Sequence, residues 1–302
     1  MASKRYRKLG AATGGERVGQ IINGIFLGLM VVITIYPFWH VVMYSLSDSH
    51  ASMSGGIFLW PREFSLLSYQ QLLSTKQLYI CYRNSLLKTL IGTGVSLLLT
   101  ALTAYPLSLP RFKGRGFFSL MIFFTMLFNG GMIPTYLLIR DLHMLDTFWV
   151  YVLPAAMSAY NMFILRNFFQ SIPPSLEESA LLDGANPFQV LFHLVLPLSG
   201  PALAALAMFY GVALWNGYMD NVLYVNDSNL QLLQNFLRQL IAAAGAKSGT
   251  VSEMADVSAA SRLTEETVKM TVITVSVIPV LIVYPFLQKY YTKGVMVGSV
   301  KG

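Results

Sequence analysis

EESALLDGANPFQVLFHLVLP, residues Glu177 to Pro197, lies between two long apolar runs and has the character of neither. It holds three acids in a chain that is 55% hydrophobic and only 12% charged. Pro173 and Pro174 just before it end the preceding helix, because proline fits poorly inside one. Ser175 followed by Glu178 has the spacing of a capping box, so a helix is expected from there to about Asp183. Gly184 supplies the left-handed residue that closes many helices. Asn186, Pro187 and Gln189 then form a second start signal, as N-cap, first-turn proline and N3 residue. A second short helix should run to about Leu196, where Pro197 and Pro201 separate it from the next apolar run. At 1.5 Å per residue the first helix is only about 12 Å long, too short to cross a membrane. The stretch must lie at a membrane surface.

The chain around it is a polytopic membrane protein. Soluble domains carry roughly a quarter of their residues as Asp, Glu, Lys and Arg, and a mean hydropathy of +0.56 points the same way. Crossing a core of about 30 Å needs roughly 20 apolar residues. Six runs qualify, giving expected spans at about 18–46, 86–109, 117–139, 147–165, 201–219 and 270–288. The first is too long for a cleaved signal segment. Residues 1–17 form a tail, and the rest a single transmembrane domain. Lys and Arg gather on inner loops, and placing the N-terminus inside puts Arg111, Lys113 and Arg115 of the short RFKGR loop there. Both termini are then cytoplasmic, residues 173–197 are an inner loop, and residues 220–268 are an outer one. A pI near 9.4 suits a nucleic-acid partner, but the bases sort by membrane side, so none is expected. Cys81 is the single cysteine, which excludes an intrachain disulfide or a cysteine metal knuckle.

Chemistry is absent from the motifs. There is no Walker-type phosphate loop, no H-E-x-x-H and no G-x-S-x-G, and the four histidines have no ligand spacing. No catalytic or metal site is expected. The span interiors read as free of Asp, Glu, Lys and Arg, which argues against a proton-coupled carrier. They hold amides and aromatics instead: Asn129, Asn161, Trp215, Asn216 and, just beyond, Tyr218. Two readings stand for these residues: helix-packing groups, or the lining of a path for a hydroxyl-rich solute.

An amphipathic inner loop resting on anionic lipid should be basic. Glu177, Glu178 and Asp183 have the wrong sign, which favours a protein partner. The residues themselves carry a resemblance. Glu178-Ser179-Ala180, Gly184 and Leu194-Val195-Leu196-Pro197 resemble the E-A-A-x3-G-x9-I-x-L-P loop of ABC importer membrane subunits of the maltose-permease-like type. Ser179 and Leu194 are its two departures. PREFSLLSYQQL, NSLLKTL, AYPLSLPRFKGR and LWNGYMDNVLY extend the similarity along nearly the whole chain. FNGGMIPTYLLIRDLHMLDT resembles a branch serving oligo- and polysaccharides, including aldouronate, rhamnogalacturonan and alginate systems.

The resemblance implies an all-α polytopic protein with the six-span, MetI-like fold of type I ABC importer permeases. It implies a related second permease forming a heterodimer, two cytoplasmic ATPases, an extracytoplasmic sugar-binding protein and an oligosaccharide substrate, within the lipid of a bacterial cytoplasmic (inner) membrane. This subunit would be non-catalytic and bind no cofactor; ATP and Mg would be used by the ATPase partner. The coupling residues would be Glu177, Glu178, Ser179, Ala180, Asp183, Gly184, Leu194, Leu196 and Pro197. The rival is a six-span secondary transporter for a neutral solute, working without an ATPase. In the outer loop, NLQLLQNFLRQLI has helical periodicity and would either lie on the membrane or meet the binding protein. An acidic sugar would be helped by the outer bases Arg83 and Lys88, which would otherwise only anchor the second span.

Overall fold

The structure is a computed structural model that describes residues 14–245 and 264–298. The basic tail residues Lys4 to Lys8, the Ala- and Ser-rich centre of the outer loop and Lys301 lie outside those residues. The chain opens with α1 (Gly14–Ser45), the single turn α2 (Ser49–Ser52), α3 (Leu67–Ser74) and α4 (Lys76–Ser108). Next come α5 (Arg115–Leu127), α6 (Met132–Asp141), a 3-10 turn (Phe148–Tyr151) and α7 (Ala159–Gln170). The acidic stretch between the apolar runs forms α8 (Pro174–Leu182), α9 (Pro187–Val190), a π-helical turn (Leu191–Val195) and α10 (Leu196–Leu198). The remainder is α11 (Gly200–Asn216), α12 (Met219–Tyr224), α13 (Leu233–Gly245) and α14 (Glu265–Gly298). No strand occurs among the described residues.

Each expected span meets a helix, but they do not cross alike. Among the described residues, α1 and α4 are each long and apolar enough to cross a membrane. Two bent pairs reach that length only together, which raises the number to four. The third expected span breaks between α5 and α6, which meet at 114°. Gly131 turns the chain at φ +91°, and the Asn129 side chain accepts the Gly131 N–H at 2.8 Å. The fourth starts later than 147: its helix α7 has 12 residues, about 18 Å, because Pro154 and the Ser158 cap set its beginning. Phe148–Tyr151 instead turns inward, and Val150, Tyr151 and Val152 pack with Ile139, Tyr224 and Leu232. The second span begins at Lys76 rather than near 86, which carries Lys88 into the helix interior.

Helix α4 is the central post. It packs along α7 and α11, and α11 leans on α14. At one end Ala101, Ala104, Tyr105 and Leu107 of α4 join Met162, Leu165, Val190, Leu191 and Leu206 in one core. At the other, Leu78 and Cys81 join Trp215, Leu233, Phe236, Leu237 and Val272. The stripe in α13 that suggested a membrane-surface helix or a binding-protein contact is therefore already buried against α4 and α14. Helix α1 stands apart: none of its residues from 18 to 42 is buried. It is held near its end, where Met43 and Tyr44 pack with Phe58 and Met270 and the Tyr44 hydroxyl donates to Glu266 at 2.9 Å.

Close approach of α4 and α11 depends on Gly92, where a Cβ would lie 2.8 Å from Cδ1 of Leu214. Small residues let helices in membranes pack on backbone contacts. Gly94, two residues on, has open space beside it. Gly92→Leu should therefore cost about 1–3 kcal/mol by overpacking and lower the melting temperature of the detergent-purified protein. Gly94→Leu should leave it nearly unchanged, and equal effects would refute the packing assignment.

Candidate functional site

Two places bring polar groups together. The first is the α8–α10 knob. Helix α8 starts one residue before the expected cap: Pro174 occupies its first turn and Pro173 its N-cap position, with no side-chain cap. Ser175 is already inside the helix, so the Ser175–Glu178 capping box does not form. Glu177 does the holding instead. Its Oε1 accepts from the Tyr105 hydroxyl at 3.0 Å and from Arg111 at 2.6 Å, tying α8 to the end of α4. The Glu177 side chain is 19% exposed and that of Arg111 52%, while Tyr105 is buried and meets the Phe169 ring edge-on.

The C-terminus of α8 forms a complete Schellman closure. Ala185 N–H donates to the Ala180 carbonyl at 3.0 Å and Gly184 N–H to that of Leu181 at 3.1 Å. Gly184 sits at φ +86°, where any side chain is disfavoured. The second cap is present as the sequence indicates: Gln189 N–H donates to Asn186 Oδ1 at 2.9 Å, and Asn186 N–H to Gln189 Oε1 at 2.8 Å. Pro197 does not end the second helix. The π turn before it carries the Leu196 N–H to the Leu191 carbonyl, and the wider turn admits a residue that has no N–H to give. The break comes at Ser199, where Pro187–Leu198 and α11 meet at 84°. Ser199 is buried and its hydroxyl donates to Val195 O at 2.7 Å.

The loop residues thus divide by direction. Glu178, Ser179 and Asp183 face outward beside Leu176, Leu182 and Phe188; Leu182 is 89% exposed and Phe188 67%. Glu178 and Asp183 have no side-chain hydrogen bond among the described residues. Ala180, Leu194 and Leu196 pack inward against the core of α4 and α7, and Pro197 is exposed. Val190 and Leu191 are fully buried in that core. The acid pattern in the sequence could not separate Glu177, which is bonded within the chain, from Glu178, which is not.

The second place lies near the opposite end of α4. A cavity of about 490 Å³ is bounded by Lys88, Ser158, Tyr160, Asn161, Phe209, Tyr210, Gly217 and Asp220, among others. Of the five candidates for a path, Asn161 alone lines it. Asn129 caps the α5–α6 bend, Trp215 is core, and Asn216 is exposed outside the cavity wall. Tyr218 lies beneath the Arg238 guanidinium, 4.7 Å from its ring centre.

The span interior also holds an ion pair that the sequence reading placed at its edge. Lys88 is 1% exposed, and its Nζ donates to Gly217 O at 2.9 Å and Asp220 Oδ2 at 3.2 Å. The Tyr151 ring lies 5.3 Å from the same nitrogen. Gly217 follows the end of α11, and a Cβ there would sit 3.2 Å from Nζ. Lys88 thus fixes the break between α11 and α12. It is not a free base awaiting an acidic sugar. The signal for this is the length of the helical pattern from Lys76, which places Lys88 inside α4 and not at its start.

Comparison with known proteins adds independent findings. Residues 89–297 match the family described as binding-protein-dependent transport system inner membrane component. The polygalacturonan/rhamnogalacturonan transport system permease protein YtcP of Bacillus subtilis (strain 168) is 45% identical over 277 residues, covering 92% of this chain and 96% of YtcP. Protein LplC of the same organism is 39% identical, covering 96% of this chain and 97% of its own length. Among solved structures, the chain resembles one from a bacterial ABC transporter involved in the import of the acidic polysaccharide alginate. That match has a TM-score of 0.86 and 34% identity, covering 93% of this chain and 99% of the other.

Two outcomes follow from these geometries. Glu177→Ala should speed amide hydrogen exchange across residues 174–185 while lowering global stability by only about 0.2–1 kcal/mol, the range for a partly exposed pair. Glu178→Ala should change neither; equal exchange in the two variants would refute the anchor. At the ion pair, Asp220→Ala strands a buried ammonium and should cost about 3–5 kcal/mol. Lys88→Met should cost less, because the Asp220 side chain is 40% exposed and can turn to water. Thermal unfolding in detergent ranks the two.

Proposed function

Because this chain belongs to the family of binding-protein-dependent transport system inner membrane components, we propose that its exposed α8 surface is the seat of an ATPase and that its spans pass a saccharide. The chain is a permease subunit of a carbohydrate ABC importer and not an enzyme; ATP hydrolysis resides in a separate subunit. An ATPase and a binding protein are its partners. A related permease completes the translocation path as a heterodimer, with two ATPases below it using ATP and Mg. The membrane is the bacterial cytoplasmic one. Both termini and the 173–197 loop are cytoplasmic, and residues 220–268 lie outside. The substrate class is an oligosaccharide of the pectin or alginate kind, as the names of the relatives suggest.

The observation that carries the coupling role is the division of labour within α8. A force-bearing contact needs a rigid element whose outer face is free and whose inner face is bonded to what must move. Leu182, Phe188, Glu178 and Asp183 give an apolar patch beside two acids that are unpaired among the described residues. Such a patch suits a cleft with an apolar floor and a basic rim. Behind it, Glu177 holds Tyr105 and Arg111, and Leu194 and Leu196 wedge into the α4–α7 core. Displacement of α8 is thereby transmitted to α4 and, through α9 and α10, to α11. A secondary transporter has no use for this arrangement.

The test is co-purification and transport. Leu182→Asp should release the ATPase from the solubilised complex and abolish ATP-driven uptake, since a charge would enter the buried centre of the contact. Glu178→Lys should weaken assembly several-fold. Full assembly and uptake with both variants would remove α8 from the ATPase interface.

A further inference from the structure

Resting on the permease reading, we propose that the cavity between α4, α7 and α11 is a sugar-binding site built to read ring hydroxyls, with Asn161 as its principal ligand and Asp220 as its second. Asn161 is 6% exposed and lines the cavity. Its side-chain amide has no hydrogen-bond partner among the described residues, although its backbone N–H is satisfied by the Ser158 hydroxyl at 3.4 Å. The amide is not sealed in the packing: its two donors and its acceptor are open to the cavity. Vicinal hydroxyls of a pyranose supply both a donor and an acceptor at the spacing an amide can bridge.

The other polar groups of the wall are distributed unevenly. The Tyr210 hydroxyl is engaged by Thr100 at 2.7 Å and accepts the Ser158 N–H at 3.0 Å, so it stiffens the wall and has little left to offer. Lys88 is held by Gly217 and Asp220 and is 1% exposed. It cannot turn to a ligand carboxylate without stranding Asp220. Asp220 is different: 40% of its side chain is exposed, and only Oδ2 meets Lys88, leaving acceptor positions towards the cavity for sugar hydroxyls. Tyr160 and Phe209, 60% and 40% exposed, offer aromatic surface for the C–H face of a ring. The ion pair makes the site close to neutral. A uronate is therefore recognised here by its hydroxyls, whatever groups elsewhere read its charge. The volume of about 490 Å³ lies within the range of small-molecule pockets.

The complete importer, reconstituted in proteoliposomes with its sister permease, ATPases and binding protein, tests this with radiolabelled trigalacturonate. Sugar imported and ATP hydrolysed are measured together at saturating loaded binding protein. Asn161→Ala is expected to lower sugar imported per ATP at least threefold while ATP hydrolysis stays within twofold of wild type. Tyr160→Ala, at an exposed position that folding does not depend on, should act in the same direction and replaces the first variant if that one fails to assemble. In a Cys81→Ser background, Asn161→Cys should be modified by a thiol reagent several-fold more slowly when the sugar is present. Unchanged import per ATP in the Asn161 variant, or modification indifferent to sugar, would overturn the site. Absence of ATP-driven import by the wild-type complex would instead sink the permease reading beneath it.

Discussion

A charge placed where water is scarce must find a partner, and the Lys88–Asp220 contact shows how that constraint organises one end of this protein. The ammonium reaches from α4 to the carbonyl of Gly217 and the carboxylate of Asp220. It thus supplies the acceptor and counter-charge that a buried lysine needs. It also pins the place where α11 stops and α12 begins. Asp220 stands in the first turn of α12, where the helix dipole favours an anion. From this fixed point the rest of the α4–α11 packing follows, with Gly92 set to admit Leu214 and the two helices running side by side towards the α8 knob.

The same logic operates at the other end with a weaker bond. Glu177 joins Tyr105 and Arg111 at a surface partly open to solvent, so its contribution to stability is small. Its importance is directional. It decides which acid of the loop faces inward, and leaves Glu178 and Asp183 facing outward. Helix α4 therefore carries an anchor near each end, and a displacement of α8 has a stiff route to the break at Gly217. The Schellman closure at Gly184 and the capping box at Asn186 keep the knob from fraying.

Much of this was legible in the residues. Each apolar run meets a helix among the described residues, the Asn186-Pro187-Gln189 pattern forms the cap it predicts, and Gly184 adopts the left-handed turn. Those signals are local: they depend on hydropathy over a window or on bonds within four or five residues. The errors share a different cause. The third span was read as one helix because neither hydropathy nor composition registers the turn at Asn129 and Gly131. Helix α7 was read too long because the inward turn of Phe148–Tyr151 is stabilised by Tyr224 and Leu232, far away in the chain. Ser175 is not the cap because Pro174 already starts the helix.

By itself the sequence determined the class of protein, the helical nature of its apolar runs, the Gly184 and Asn186 caps of the knob and its resemblance to importer permeases. Desolvation and backbone hydrogen bonding dictate these one segment at a time. Only the tertiary structure decided which polar residues matter and how. It consumed Lys88 in an ion pair, buried the α13 stripe, turned Glu177 inward and left the Asn161 amide open in a cavity. A side chain's role depends on which distant groups satisfy it, and those groups come from helices that sequence alone does not bring together.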